Sequence, residues 1–390
     1  MGKKAQAYSK LLRRHMLRLW WKLVVLASVA LCVLAFFRIQ QYSQPPASSY
    51  SQTHMSSQLM GVPKVAFLFL VRRSLPLDFL WESFFENVDR SMFSIYIHAE
   101  PGIVFDESTT RSGLFINRQL RNSIKVAWGE ASMIAAERLL FEEALQDPAN
   151  QRFVLLSDSC APLYNFSYIY KYLMDSPRSF VDSFVDKKDV RYNPKMSPVI
   201  PRNKWRKGSQ WVTLIRRHAE VVADDEIVFP IFKKFCKAAT YDVLFLQRRP
   251  PVDPSLGIKN RILQKLHNCI PDEHYVQTLL AMNGLEAELE RRTVTYTLWN
   301  QSRATPTDDV TWHPFTFSYG DSGPEQIKRI KDINHVNYQT EFRIEWCSNN
   351  STLVHCFLFA RKFSLGAAMR LLSQGLVGNL DVLALMEPPP

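Results

Sequence analysis

Read as a string of apolar and polar positions, the chain changes period several times. Leu23 to Phe37 is apolar throughout except for Ser28, and the run extends back through Leu19, Trp20 and Trp21 if Lys22 snorkels towards headgroups. About 19 residues of this kind span a thin bilayer. Residues 19–37 therefore predict an uncleaved transmembrane signal anchor behind a basic tail, residues 1–18. A cleaved signal peptide is the competing reading, but Phe36, Phe37 and Arg38 follow the run in place of a small-x-small cleavage site. Residues 38–62, rich in Ser, Gln, Tyr and Pro, show no period and predict a stem.

From residue 63 to about residue 375 the pattern is that of a folded domain, with 376–390 as a tail. Lys64 to Val71 is a continuous apolar run ending in Arg72-Arg73, the pattern of a strand buried on both faces. A helix is predicted near Leu77 to Asn87, a strand over Phe93 to His98, a short strand ending at Val126-Ala127, a helix over Ala131 to Leu145 and a strand at Phe153 to Leu156. Repeated strand–helix–strand units predict an α/β fold: a mainly parallel sheet with helices on both sides. Such sheets bind ligands beyond the carboxyl ends of their strands. Arg72-Arg73, His98-Ala99-Glu100 and Ser157-Asp158-Ser159 fall at those ends. After Phe180 the pattern loses regularity, with proline-rich links at Pro194 to Pro201 and Pro250 to Pro254, and no internal repeat is visible.

Charge changes this picture only at the amino end. The formal charge is +11, but Lys3, Lys4, Lys10, Arg13, Arg14, Arg18, Lys22 and Arg38 supply eight of those charges, with no acidic residue among them. The remainder is close to neutral, which argues against a nucleic-acid binder. A basic flank stays cytosolic, so the bulk of the chain is expected in the lumen as a type II, single-pass membrane protein, and a short anchor suits early secretory membranes such as the Golgi. Asn165, Asn300, Asn349 and Asn350 head acceptor triplets for N-glycosylation, which fits a lumenal domain. Five cysteines follow the anchor, and proximity in sequence pairs Cys347 with Cys356 and Cys236 with Cys269.

The motifs absent are informative. Without Gly-x-Gly-x-x-Gly, a Walker loop or Gly-x-Ser-x-Gly, and with only 13 glycines, dinucleotide, P-loop and serine-hydrolase chemistry is disfavoured. Sugar transfer from a nucleoside diphosphate needs a base for the acceptor hydroxyl and positive charge for the departing pyrophosphate. There is no Asp-x-Asp; Asp158 is one carboxylate where a hard cation wants several oxygens, and Arg361-Lys362 are cations able to act in a metal's place. Glu273, after Pro271-Asp272 and before the helical run Tyr275 to Met282, is the candidate base; the plainer reading is that Asp272 and Glu273 cap that helix. Trp205 to Trp211 combines aromatic faces with Ser209 and Gln210, a composition suited to sugar rings, against the plainer reading of a loop whose tryptophans are core.

Taken in order, Phe93 to Glu100, Trp128-Gly129-Glu130, Leu155 to Leu163, Trp205 to Trp211, Pro271-Asp272-Glu273-His274 and Phe357 to Phe363 resemble the core-2/I-branching β-1,6-N-acetylglucosaminyltransferase family, above all its plant members, over about Lys64 to Leu372. The resemblance implies a GT-A-like fold and inverting, metal-independent transfer from a UDP-sugar, N-acetylglucosamine favoured, to a glycan or glycoprotein hydroxyl, with no cofactor. It implies Glu273 as base, Lys362 at the pyrophosphate with Arg343 or Arg361 assisting, Glu100 and Asp158 on the donor side, and Ser209, Gln210, Trp211 and Trp205 on the acceptor side. Glu100 stands where animal relatives carry aspartate. The rival readings are transfer of a glucuronosyl or other sugar by the same fold, and a non-catalytic glycan-binding scaffold.

Overall fold

The strand predicted at the head of the folded region is the centre of the sheet. The computed structural model describes residues 61–185, 191–236, 268–299, 314–349 and 352–377, with Trp20, Lys22 and Ser28. Residues 1–60 and 61–390 form two compact units. The tail and most of the anchor and stem fall outside the described residues, as do Asn300 and Asn350. Among the described residues no helix is long and apolar enough to cross a membrane.

The chain runs through β1 (Lys64–Leu70), α1 (Asp78–Phe85), β2 (Phe93–His98), α2 (Ala131–Leu145), β3 (Asn150–Ser157), β4 (Ala161–Pro162), α3 (Phe166–Asp175), β5 (Ser179–Phe180), β6 (Thr213–Ile215), α4 (Arg216–Ala223) and α5 (Val228–Phe235). It continues through α6 (Tyr275–Met282), β7 (Leu289–Glu290), β8 (Thr295–Thr297), α7 (Pro324–Lys331), β9 (His335–Tyr338), β10 (Arg343–Trp346), β11 (Ser348–Asn349), β12 (Thr352–Leu353), β13 (Phe359–Arg361) and α8 (Leu365–Ser373). Among the described residues six strands form the main sheet, in the order β2-β1-β3-β6-β5-β7. Alternate side chains of β1 and β3 enter opposite cores. Val65, Phe67, Phe69, Val154 and Leu156 pack on one face with α1, α3 and α8. Ala66, Leu68, Phe153 and Leu155 pack on the other with α2, α4, α5 and α6. Each fully buried side chain of this size contributes about 1.5–3 kcal/mol, which is why an unbroken apolar run becomes a central strand.

Two expectations are corrected. The sheet is mixed rather than mainly parallel: β1 is parallel to β2 and β3, but β6 is antiparallel to both β3 and β5. The irregular segment after β5 brings the chain back to the sheet from the other end, so β6 enters reversed. Val126-Ala127 is not a strand; the preceding segment is held by the Ile124 N–H, which donates to His98 Nε2 at 3.1 Å.

Both cysteine pairings suggested by proximity are present, Cys236–Cys269 and Cys347–Cys356, while Cys160 is free and buried. The first joins the end of α5 to the chain just ahead of Pro271-Asp272-Glu273. Inside that bend, Gly208 lies so close to the backbone of Asp182 that a Cβ would stand 1.7 Å from its carbonyl oxygen. The Gly208 N–H donates to the Glu273 carbonyl at 2.9 Å. Three segments meet here with no room for a side chain.

Asn165 contradicts its predicted role as a glycan acceptor. It is the N-cap of α3, 8% exposed, and its side-chain oxygen accepts from the Tyr168 N–H at 2.9 Å. Glycan mapping by mass spectrometry should find Asn165 unmodified, and Asn165→Ala should lower stability by about 1 kcal/mol through loss of the cap; a glycan on Asn165 would refute this placement. Gly208→Ala should lower stability by about 1–3 kcal/mol in denaturant titrations, because the Asp182 backbone must move; an unchanged midpoint would contradict the close crossing.

Candidate active site

The donor side begins where β3 ends. Strand β4 pairs antiparallel with β13, the Leu163 N–H donates to the Leu358 carbonyl at 2.8 Å, and the Phe363 N–H to the Ser159 carbonyl at 3.0 Å. This sets Arg361 and Lys362 beside Ser157-Asp158-Ser159. Arg361 Nε reaches Ser157 Oγ at 3.3 Å, and its guanidinium lies 4.4 Å from the centre of the Trp211 ring. Burial pushes the Arg361 pKa down, with Cys160, Asp158 and Asp272 pulling the other way. Lys362 is also lowered, by burial first and then by Arg361, with Arg72 adding to the repulsion and Asp158 opposing it. Cations gathered against their mutual repulsion form a site for an anion. Glu100, at the end of β2, is exposed, with Oε2 3.5 Å from Arg73 Nε.

The second side is built on the turn Pro271–Glu273, a single 3-10 turn ahead of α6. Glu273 is 25% exposed at its side chain, and Oε2 lies 3.8 Å from Lys207 Nζ. Burial raises its pKa, while Lys207 and Arg191 oppose the rise. The Asp272 carboxyl is raised to about 7 by burial and by Glu273, against Arg361. Its Oδ1 is buried without a hydrogen-bond partner.

The Trp205–Trp211 segment divides into unlike parts. Trp205 is 2% exposed, stacked on His274 at 4.7 Å and Phe232 at 5.4 Å. It belongs to the core and cannot touch an acceptor, which corrects its assignment to the acceptor side. Arg206 is held in a two-point ion pair by Glu286. The Ser209 N–H donates to Asp182 Oδ2 at 3.0 Å, Gln210 Nε2 donates to Glu137 Oε1 at 2.7 Å, and Trp211, 6% exposed, lies against Arg361.

Arg343 is placed away from the donor cations. Its guanidinium lies 3.9 Å from the centre of the Tyr338 ring on the β9–β10 hairpin and is bound by Glu341 and Glu345, with a further bond to the Ser183 carbonyl. The sequence placed it by order along the chain, whereas the hairpin turns it towards Asp182.

Two carboxyls escaped the sequence reading. Asp182 accepts from Tyr338 Oη and is raised to about 6 by burial, against the bonds from Tyr338 and Ser209. Glu137, 2% exposed, is driven well above the usual glutamate range by burial, with the Gln210 bond opposing and Asp272 adding to the rise. A signal for Glu137 exists: with Ile134, Phe141 and Ala144 it falls on the buried stripe of α2, where an unpaired carboxylate is unfavourable. Asp182 sits in irregular chain and offers no such signal. Among the described residues, no three His, Cys, Asp or Glu side chains converge as a metal site.

A sequence model described as Core-2/I-Branching enzyme matches residues 65–331. The protein named Glycosyltransferase BC10 from Oryza sativa subsp. japonica is 51% identical over 317 residues, covering 81% of this chain and 78% of that protein. The match and the opposed carboxylate and cation sides lead to one assignment: the chain belongs to the core-2/I-branching enzyme family and is a glycosyltransferase of its plant type.

Proposed function

We propose that this glycosyltransferase moves a sugar, N-acetylglucosamine favoured, from a UDP-sugar to a hydroxyl of a glycan or glycoprotein, with inversion and without a resident metal. It acts in the Golgi lumen behind the type II anchor of residues 19–37. The observation that carries the reading is the opposition of one partly exposed carboxylate, Glu273, to two cations, Arg361 and Lys362, with only Asp272 in electrostatic contact with both sides.

In the step this arrangement supports, Glu273 takes the proton of the acceptor hydroxyl as its oxygen attacks the anomeric carbon. The bond from that carbon to the diphosphate breaks, and the phosphate oxygen keeps the electron pair. Arg361 and Lys362 stabilise the charge it gains, the task a divalent ion performs elsewhere. A single displacement of this kind inverts the anomeric centre. Ser209, Gln210 and Trp211 shape the acceptor side through their neighbours, because Gln210 and Trp211 join the Glu137 carboxyl to the Arg361 guanidinium.

Incubation of the full-length protein with a panel of UDP-sugars and glycan acceptors in EDTA should give transfer from one donor; absence of transfer in EDTA with rescue by a divalent ion would overturn the metal-free reading. Transfer of glucuronic acid would move the assignment to that donor with the same chemistry.

Glu273→Gln should leave UDP binding intact and lower kcat by about 10²–10⁴-fold. Because a base must be ionised, the wild-type rate should fall as pH falls, with a midpoint above the ordinary glutamate range, and the variant should lose that limb. Retained transfer would remove the base assignment. Lys362→Ala should lower kcat by about 10²–10³-fold and weaken UDP as a product inhibitor; unchanged inhibition would place the diphosphate elsewhere.

A further inference from the structure

Asp272 has no place in the step just described, yet it occupies the position between its two halves. The turn that carries it packs against α2 and α6. From α2 it faces Glu137, whose carboxyl feels Asp272; from its own turn it faces Glu273; from β13 it faces Arg361. The segment Arg206–Gln210, joined to the turn by the Gly208 N–H, supplies Lys207, and Arg191 also acts on Glu273. Helix α6 presents Gln277, which is uncharged and donates to the Ser209 carbonyl at 2.7 Å. His274 is kept neutral by burial, with a pKa lowered to about 3. Asp272 Oδ1 has no hydrogen-bond partner, so no local donor fixes its charge. Its ionisation is set by the surrounding charges, of which Arg361 is the one that favours the anion.

We propose that Asp272 is a positioning residue that takes up a proton when a nucleoside diphosphate occupies Arg361 and Lys362, leaving Glu273 as the ionised carboxylate of the pair. The inference rests on the reading of Arg361-Lys362 as the diphosphate site. A bound diphosphate brings negative charge to Arg361 and cancels the field that holds Asp272 ionised. Two adjacent carboxylates then carry one proton between them, as like charges at short range do, and the more exposed Glu273, which has Lys207 beside it, keeps the negative charge. The proton comes from solvent, and no bond other than that to the proton is made or broken. Donor binding thus prepares the base before the acceptor arrives.

The test is calorimetric titration of UDP into the full-length protein at pH 7 in two buffers of different ionisation enthalpy, PIPES and Tris. With the Asp272 carboxyl near pH 7, binding should take up as much as about half a proton, seen as a less favourable apparent enthalpy in Tris. Asp272→Asn, which keeps the size of the side chain, should bind UDP within about threefold of wild type and lose the buffer dependence, an outcome a purely structural role would not produce. Wild-type binding with equal enthalpy in both buffers overturns the proposal without any variant. Undiminished uptake in Asp272→Asn overturns it by assigning the proton to another group. No UDP binding at all fails the diphosphate-site reading itself, and the proposal with it.

Discussion

The site depends on one short pairing. Ala161 and Pro162 of β4 align with Ala360 and Phe359 of β13, and the flanking bonds from Leu163 to Leu358 and from Phe363 to Ser159 extend the contact on both sides. These bonds bring the end of the central strand β3 to a cation pair two hundred positions later in the chain. β13 is also parallel to β8, so it cannot slide without breaking two ladders. The cations are therefore placed by backbone geometry and not by their own side-chain preferences. Long side chains such as arginine and lysine lose much of their freedom when they bind an anion. Fixing their backbone, and seating Arg361 on the Trp211 ring, removes part of that loss beforehand.

The opposite side is fixed by exclusion of volume. Gly208 threads between the Asp182 backbone and the Glu273 carbonyl, and the amide of the next residue, Ser209, satisfies the Asp182 carboxylate. Gln210 and Trp211 then point to Glu137 and Arg361 respectively. Four consecutive residues thus connect the base, two buried carboxyls and a donor cation. The resemblance marks this segment as an acceptor wall. Its polar groups are engaged with the protein, so its contribution to an acceptor site comes through the surface these bonds hold in shape.

How much of this was legible depended on the range of the interactions. Helices α2 and α6 and strands β1, β2 and β3 follow from runs long enough to show a period. Strands β5 and β7 have two residues each and β6 three, too few for any period, so the reversal at β6 left no trace in the pattern. Glu273, Lys362 and Arg361 were found because short motifs surround them. Trp205 was misread because composition cannot tell a tryptophan facing a sugar from one stacked on His274 and Phe232. Arg343 was misplaced because its neighbours in space, Tyr338 and Asp182, are set by a hairpin whose turn chemistry is weak in the sequence.

The buried carboxyls set this site against the stability of the fold around it. Asp182 and Asp272 hold their protons to about pH 6 and about pH 7 in the folded chain, while an unfolded chain releases them near the ordinary aspartate value of 3.8. Over that window the folded state binds more protons than the unfolded one, so stability falls as pH rises and the loss is complete only above the folded values. A hydrophobic residue at either position would remove the penalty. That both positions hold carboxyls, beside a third at Glu137 and next to the base, means that the local sequence is not the one stability alone would select. Such a cluster holds its charge in a balance that a nearby anion can tip, and the anion site lies next to it, on the other side of Arg361.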